Sequence, residues 1–197
     1  MDLDKQIAEV IETSNSEFLA QCYDLDVVPA FGSLVKTRSR DCQIYALVCA
    51  SGTHSIEQGR RIVARGQGSA SPAEVFKAHP QLAKLLCSDF RALVVGHDAG
   101  GVIRQYLPPS PVGIYAFVYA CKPEEVRLFT GSLDFLDLLI DSRLPAATDE
   151  VIAAFLRFAS LTHEAPQEFL VKAGKGLAWL LSNDIRRLDS LLKRLRI

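Results

Sequence analysis

"RQYLPPSPVGIYAFVYAC", residues 104–121, is where the reading of the fold turns. Two runs with β-strand character flank three prolines, Pro108, Pro109 and Pro111. A tight hairpin asks for Asn-Gly or Gly-X at its turn, and three prolines are too many for one. Proline fixes φ and removes an amide donor, so the segment reads as a stiff, extended strap. It carries the chain from a strand at 101–107 to a last strand at 113–121, "GIYAFVYAC". The strap is therefore expected to be a structural hinge between two modules rather than a site.

Toward the N-terminus the chain reads as β. "IAEVIET" (7–13) and "EFLAQCY" (17–23) flank Ser14-Asn15-Ser16, a trio with turn chemistry, which favours strand–turn–strand. "FGSLVKT" (31–37) and "QIYALVCAS" (43–51) are β-branched and aromatic runs separated by polar residues 38–41. "RALVVGHDA" (91–99) and "GVIRQYL" (101–107) form the clearest hairpin, turning at Ala99-Gly100-Gly101. No crossover helix intervenes before residue 72, which points to a small antiparallel barrel or sandwich. One helical insertion, at about 72–88, interrupts it. Ser71-Pro72-Ala73-Glu74 supplies a cap, a proline at the first helical position and an acid in the first turn. Pro80 divides the insertion into two short helices.

Beyond residue 122 the periodicity becomes helical. "KPEEVRLF" opens with a proline and two acids that suit the helix dipole. "LDFLDLLID" (133–141) and "ATDEVIAAFLRFASLTHE" (147–164) follow, the second with a stripe of Ile152, Phe155, Leu156 and Ala159. In the last stretch Leu177, Leu181, Ile185, Leu188, Leu192 and Leu195 recur at helical spacing, which predicts one amphipathic helix with its bases opposite. Trp179 is expected to be a packing anchor on that helix. The resulting fold class is α+β: residues 1–121 as a small N-terminal antiparallel β-barrel with the helical insertion, and 122–197 as an all-α C-terminal part.

Composition bounds the function without naming it. Of the 197 residues 49% are hydrophobic, enough for a packed core. The formal net charge of −1 gives no global pull toward nucleic acid or an anionic membrane. The balance conceals an asymmetry. Residues 1–30 hold seven acids against Lys5, whereas residues 172–197 hold seven bases against Asp184 and Asp189. Both ends read as solvated faces that attract each other. No apolar run is long enough to span a bilayer, and the acidic start "MDLDKQ" is unlike a signal peptide. A cytoplasmic protein is expected. Its five cysteines, odd in number and without a CxxC pair, then read as reduced core residues.

The segments "IAEVIETSNSEFLAQC", "PAFGSLVKTRS", "IYALVCA", "FRALVVGH", "YLPPSPVGIYAFVYACKPEEV", "LDFL" and "EFLVKAG" together resemble the HAS-barrel proteins, named for a barrel shared by HerA-type ATPases and ATP synthase subunits. The match is closest to the short stand-alone proteins of this kind from cyanobacteria, and it spans most of the chain. The resemblance implies a barrel, in which short strands alternate inward and outward faces, and protein–protein contact within a multisubunit assembly. It implies no catalytic residue.

The residues themselves offer little chemistry. "VKAGKGLA" (171–178) is the nearest approach to a phosphate loop, but Leu170 stands where its first glycine belongs and Gly176 follows Lys175. ATPase activity is not expected. His54, His79, His97 and His163 show no metal-ligand spacing, and neither metal nor cofactor is expected. His97 beside Asp98 invites a base, yet adjacent strand residues face opposite ways and Asp98 suits the turn. Cys49 with His54 lacks a third group. The remaining candidates are cationic. Arg60, Arg61 and Arg65 lie in the glycine-rich loop "GRRIVARGQGSAS" (59–71), and Arg186, Arg187, Lys193 and Arg194 lie in the C-terminal helix. They are candidate contacts to a partner or to phosphate. The expectation is a non-enzymatic binding or assembly module with a protein partner, the alternative being a nucleic-acid-binding accessory protein that uses these same bases.

Overall fold

The computed structural model describes residues 5–40, 42–57, 59, 61–140 and 148–195. Among these residues seven strands run in the order β1 (Ala8–Thr13), β2 (Glu17–Cys22), β3 (Leu34–Ser39), β4 (Cys42–Ser55), β5 (Leu86–Asp98), β6 (Ile103–Arg104) and β7 (Phe117–Ala120). Six of them close a ring, β1-β2-β5-β4-β3-β7, with every neighbouring pair antiparallel. The β2–β5 pairing seals the seam. Closure explains why such short strands suffice, because a barrel leaves no unpaired edge around its circumference. The short β6 lies outside the ring, paired to the end of β5.

The barrel interior is filled by alternate residues of these strands. Phe18, Val35, Ile44, Ala46, Val48, Phe90, Val94 and Val118 are buried there, and Val112 joins them from the proline segment. The outward positions of β3, β4 and β5 are buried too. Leu34, Tyr45, Leu47, Leu93 and Val95 belong to a second cluster shared with the C-terminal helices. This double burial accounts for the continuous apolar runs "YALVC" and "ALVV", where a one-sided sheet would alternate.

Among the described residues five helices follow the barrel: α2 (Pro123–Phe129), α3 (Phe135–Ile140), α4 (Thr148–Ser160), α5 (Pro166–Leu180) and α6 (Ile185–Arg194). The helix α1 (Pro72–Ala78) and a 3-10 helix (Pro80–Lys84) form the insertion between β4 and β5. Helix α4 is central, with Val151, Ile152, Ala153, Phe155, Leu156, Ala159 and Ser160 all buried. An aromatic ladder, Tyr45–Phe129–Phe135–Phe155, steps from β4 through α2 and α3 to α4 with centroids 5.2, 5.5 and 5.3 Å apart. Such spacings favour tilted and edge-to-face contacts.

The barrel, the two short insertion helices and the helical C-terminal part agree with the sequence reading. Several details do not. The expected single helix over 177–195 is two, because the chain turns at Ser182-Asn183-Asp184 and Asp184 caps α6 by accepting from the Arg187 amide at 3.0 Å. The insertion ends earlier than residue 88, since Leu86 already belongs to β5. The last strand shrinks from 113–121 to Phe117–Ala120, because Tyr115 adopts a left-handed φ of +64° and bends the chain there. The proline segment is packed in place: Pro108 is buried, Val112 enters the barrel interior, and Ser39 Oγ donates to the Pro111 carbonyl at 3.1 Å. Among the described residues the oppositely charged ends also do not pair with each other. Lys5 meets Asp24 and Glu17 meets Arg91, while the basic tail pairs with α4.

Candidate binding surfaces

The candidate nucleophiles and bases do not converge. Cys49 is buried and its thiol points to the Arg91 carbonyl, away from His54. His54 instead meets Cys87, its cross-strand partner, at 3.4 Å, and Asp89 also at 3.4 Å. Both contacts fall on the same ring nitrogen, Nε2, whereas a catalytic triad needs one nitrogen for each partner. Burial, then the nearby Asp89 carboxylate, push the Cys87 thiol up from its ordinary value, opposite to what a thiolate nucleophile requires. His97 is buried with Nδ1 3.2 Å from the Tyr106 carbonyl, and Asp98 accepts from the Gly101 amide at 2.8 Å, as a turn residue does. None of the five cysteines forms a disulfide among the described residues. Among the described residues no three His, Cys, Asp or Glu side chains gather as a metal site, and no helix is long and apolar enough to cross a membrane. The glycine-lysine-glycine segment 171–178 lies wholly inside α5, a continuous helix rather than a loop between strand and helix.

The structure divides the seven candidate cations into different roles. Arg60 lies outside the described residues. Arg61 and Arg65 are exposed and line a cavity in the insertion. At the C-terminus Arg187 is engaged within the fold, its Nε 2.9 Å from Asp149 Oδ1 and its Nη2 3.2 Å from the Ile140 carbonyl. Arg194 pairs with Glu150 at 2.5 Å. Lys193 pairs with Asp189 one turn earlier at 2.6 Å. Only Arg186 of this group is exposed without an ion pair among the described residues. Two of the four bases of α6, Arg187 and Arg194, thus hold the helix against α4, and Lys193 and Arg186 stay at the surface.

A surface that the sequence reading missed lies on α5 and α6. The buried stripe of α5 is Phe169, Ala173 and Leu177. Each residue two positions further is turned by ~200°, so Val171, Lys175 and Trp179 share the opposite face. Trp179 is therefore no packing anchor: it is 77% exposed, and Val171 is 58% exposed. Ile185, at the start of α6, is 74% exposed. Beside them a groove of about 570 Å³ runs between the helices, lined by Leu170, Gly174, Ala178 and Leu192 among others. Gly174 opens it, since a Cβ there would come within 3.3 Å of Leu192.

Behind this face one polar contact joins α2 to the loop after α4. Thr130 Oγ1 donates to the Val126 carbonyl at 2.7 Å, so it accepts from His163 Nε2 at 2.8 Å. The imidazole stacks on Phe169 with centroids 4.2 Å apart. Burial, then the charges of Arg127 and Lys172, push it below the usual histidine range.

No protein-family model matches this chain, and no curated protein matches it.

Proposed function

We propose that the protein is a non-enzymatic binding or assembly module that joins a protein partner through the face of α5 and α6. The exposed Trp179 beside an apolar groove carries this reading. Tryptophan is the residue type most enriched at the energetic centres of protein interfaces, and a groove between two helices suits a partner helix. A small closed barrel with helices packed on its flank also suits the HAS-barrel resemblance, in which such barrels make contacts within multisubunit assemblies. On this reading the barrel and α4 form the rigid platform, and α5 with α6 presents the contact.

A photoreactive amino acid at Val171 tests the proposal in cells that naturally make the protein. A single predominant crosslinked protein is expected, and it should vanish when Trp179→Ala is combined with the probe. A monomer that forms no adduct would overturn the proposal. An adduct indifferent to Trp179→Ala would overturn the assignment of the face.

A further inference from the structure

The insertion between β4 and β5 encloses a cavity of about 320 Å³. Its walls are apolar, with Ile62 and Val63 contributed by the loop and Val75, Phe76, Leu82 and Leu85 by the two short helices. None of these side chains is buried, and neither α1 nor the 3-10 helix contributes any buried residue. An insertion that turns its apolar side chains toward one cavity, with Ser55 and Leu86 of the barrel strands across from them, and leaves none of them fully buried has the form of a binding pocket. Arg61 and Arg65 line the same cavity and make no ion pair among the described residues. Of the acids nearby in sequence, Glu74 accepts from the Ala70 amide at 2.7 Å and so is engaged at the start of α1.

We infer that this cavity binds a single apolar chain ending in a carboxylate or phosphate. The tail lies among Phe76, Leu82 and Leu85, and the anionic head meets the guanidinium groups of Arg61 and Arg65. Guanidinium pairs bind carboxylate and phosphate through parallel charge-assisted hydrogen bonds. A small polar anion would leave the apolar wall uncovered, and a neutral chain would leave both arginines unused. Ligand pockets run from roughly 300 to 1,000 Å³, so this one has room for a single chain rather than a two-tailed lipid. This site is separate from the α5–α6 face and does not depend on it.

The test is calorimetric titration of the full chain with dodecanoate, dodecyl phosphate, dodecanol and dodecyltrimethylammonium, each kept below its micelle concentration. Saturable one-to-one binding of the two anions is expected, with dodecanol at least roughly tenfold weaker and the cation weaker still. Arg61→Gln with Arg65→Gln should weaken anion binding roughly tenfold while leaving dodecanol unchanged. Phe76→Ser should weaken all ligands, and because α1 contains no buried residue its melting temperature should stay near that of the parent. Absence of saturable binding, equal affinity for the cation, or anion binding indifferent to the double arginine change would each overturn the assignment. So would binding to phosphatidylglycerol vesicles without binding to monomeric dodecanoate, which would mark a membrane surface. An acidic amphipathic peptide that binds through Arg61 and Arg65 where dodecanoate does not would mark a peptide site and overturn it as well.

Discussion

Gly32 shows how one residue sets the spacing between barrel and helices. Its φ is +79°, a left-handed conformation that costs other residues about 1–2 kcal/mol. A Cβ there would lie 2.6 Å from the Ala154 Cβ and 2.8 Å from the backbone of α4. Gly32→Ala must therefore strain the backbone and push away a helix that packs against β4, α3, α5 and α6. The expected loss is about 3 kcal/mol, combining backbone strain with overpacking, and a lowered urea midpoint would register it. In the sequence this glycine reads only as a tight entry to a strand, because the residue it meets lies far along the chain. Local chemistry is more legible. Asp98 reads as a turn residue from its neighbours alone and accepts from the Gly101 amide as expected. The cations Arg187 and Arg194 could not be told apart from Arg186 in the same way. What distinguishes them is Asp149 and Glu150, carried by a different helix.

Elements show where periodicity persuades and where it misleads. The apolar stripe from 177 to 195 keeps helical spacing straight through the break between α5 and α6, yet its members part there: Leu177, Leu181 and Leu195 enter one core cluster and Leu188 packs against it, whereas Ile185 is exposed. The local signal for the break was Ser182-Asn183-Asp184, the same kind of trio as the Ser14-Asn15-Ser16 that separates β1 from β2. Asp184→Ala removes the side-chain acceptor at the start of α6 and should cost about 1 kcal/mol. Hydrogen exchange would locate the loss, with α6 amides exchanging faster and barrel amides unchanged. Faster exchange spread through β4 and β5 would instead show that α6 and the barrel open as one. The last strand failed for a related reason. "GIYAFVYAC" has the composition of a strand throughout, but the bend at Tyr115 is a backbone event that composition does not record.

At the scale of the whole molecule the barrel and the helices share their core. Leu34, Tyr45, Leu47, Leu93 and Val95 face the helices from the outside of the barrel, in one cluster with Phe129, Phe155 and Leu177. A chain ending at residue 121 would expose that wall to water, at about 25 cal/mol for each Å² of apolar surface. Such a fragment is expected to be insoluble or to associate, and size-exclusion chromatography of residues 1–121 would decide. A monodisperse, cooperatively unfolding fragment would show that the barrel stands without its helices. The barrel class and the change to helix at residue 122 were legible because both rest on periodicity over many residues. The α5–α6 face was not, because exposure follows from what a helix packs against and not from its own amino acids. That face carries the chain's one indole. An indole already in water changes its emission little when a protein unfolds, so tryptophan fluorescence should follow denaturation of this molecule poorly. The same spectrum should shift to the blue if the face is covered, which makes Trp179 a built-in reporter of contact there and leaves circular dichroism to follow folding.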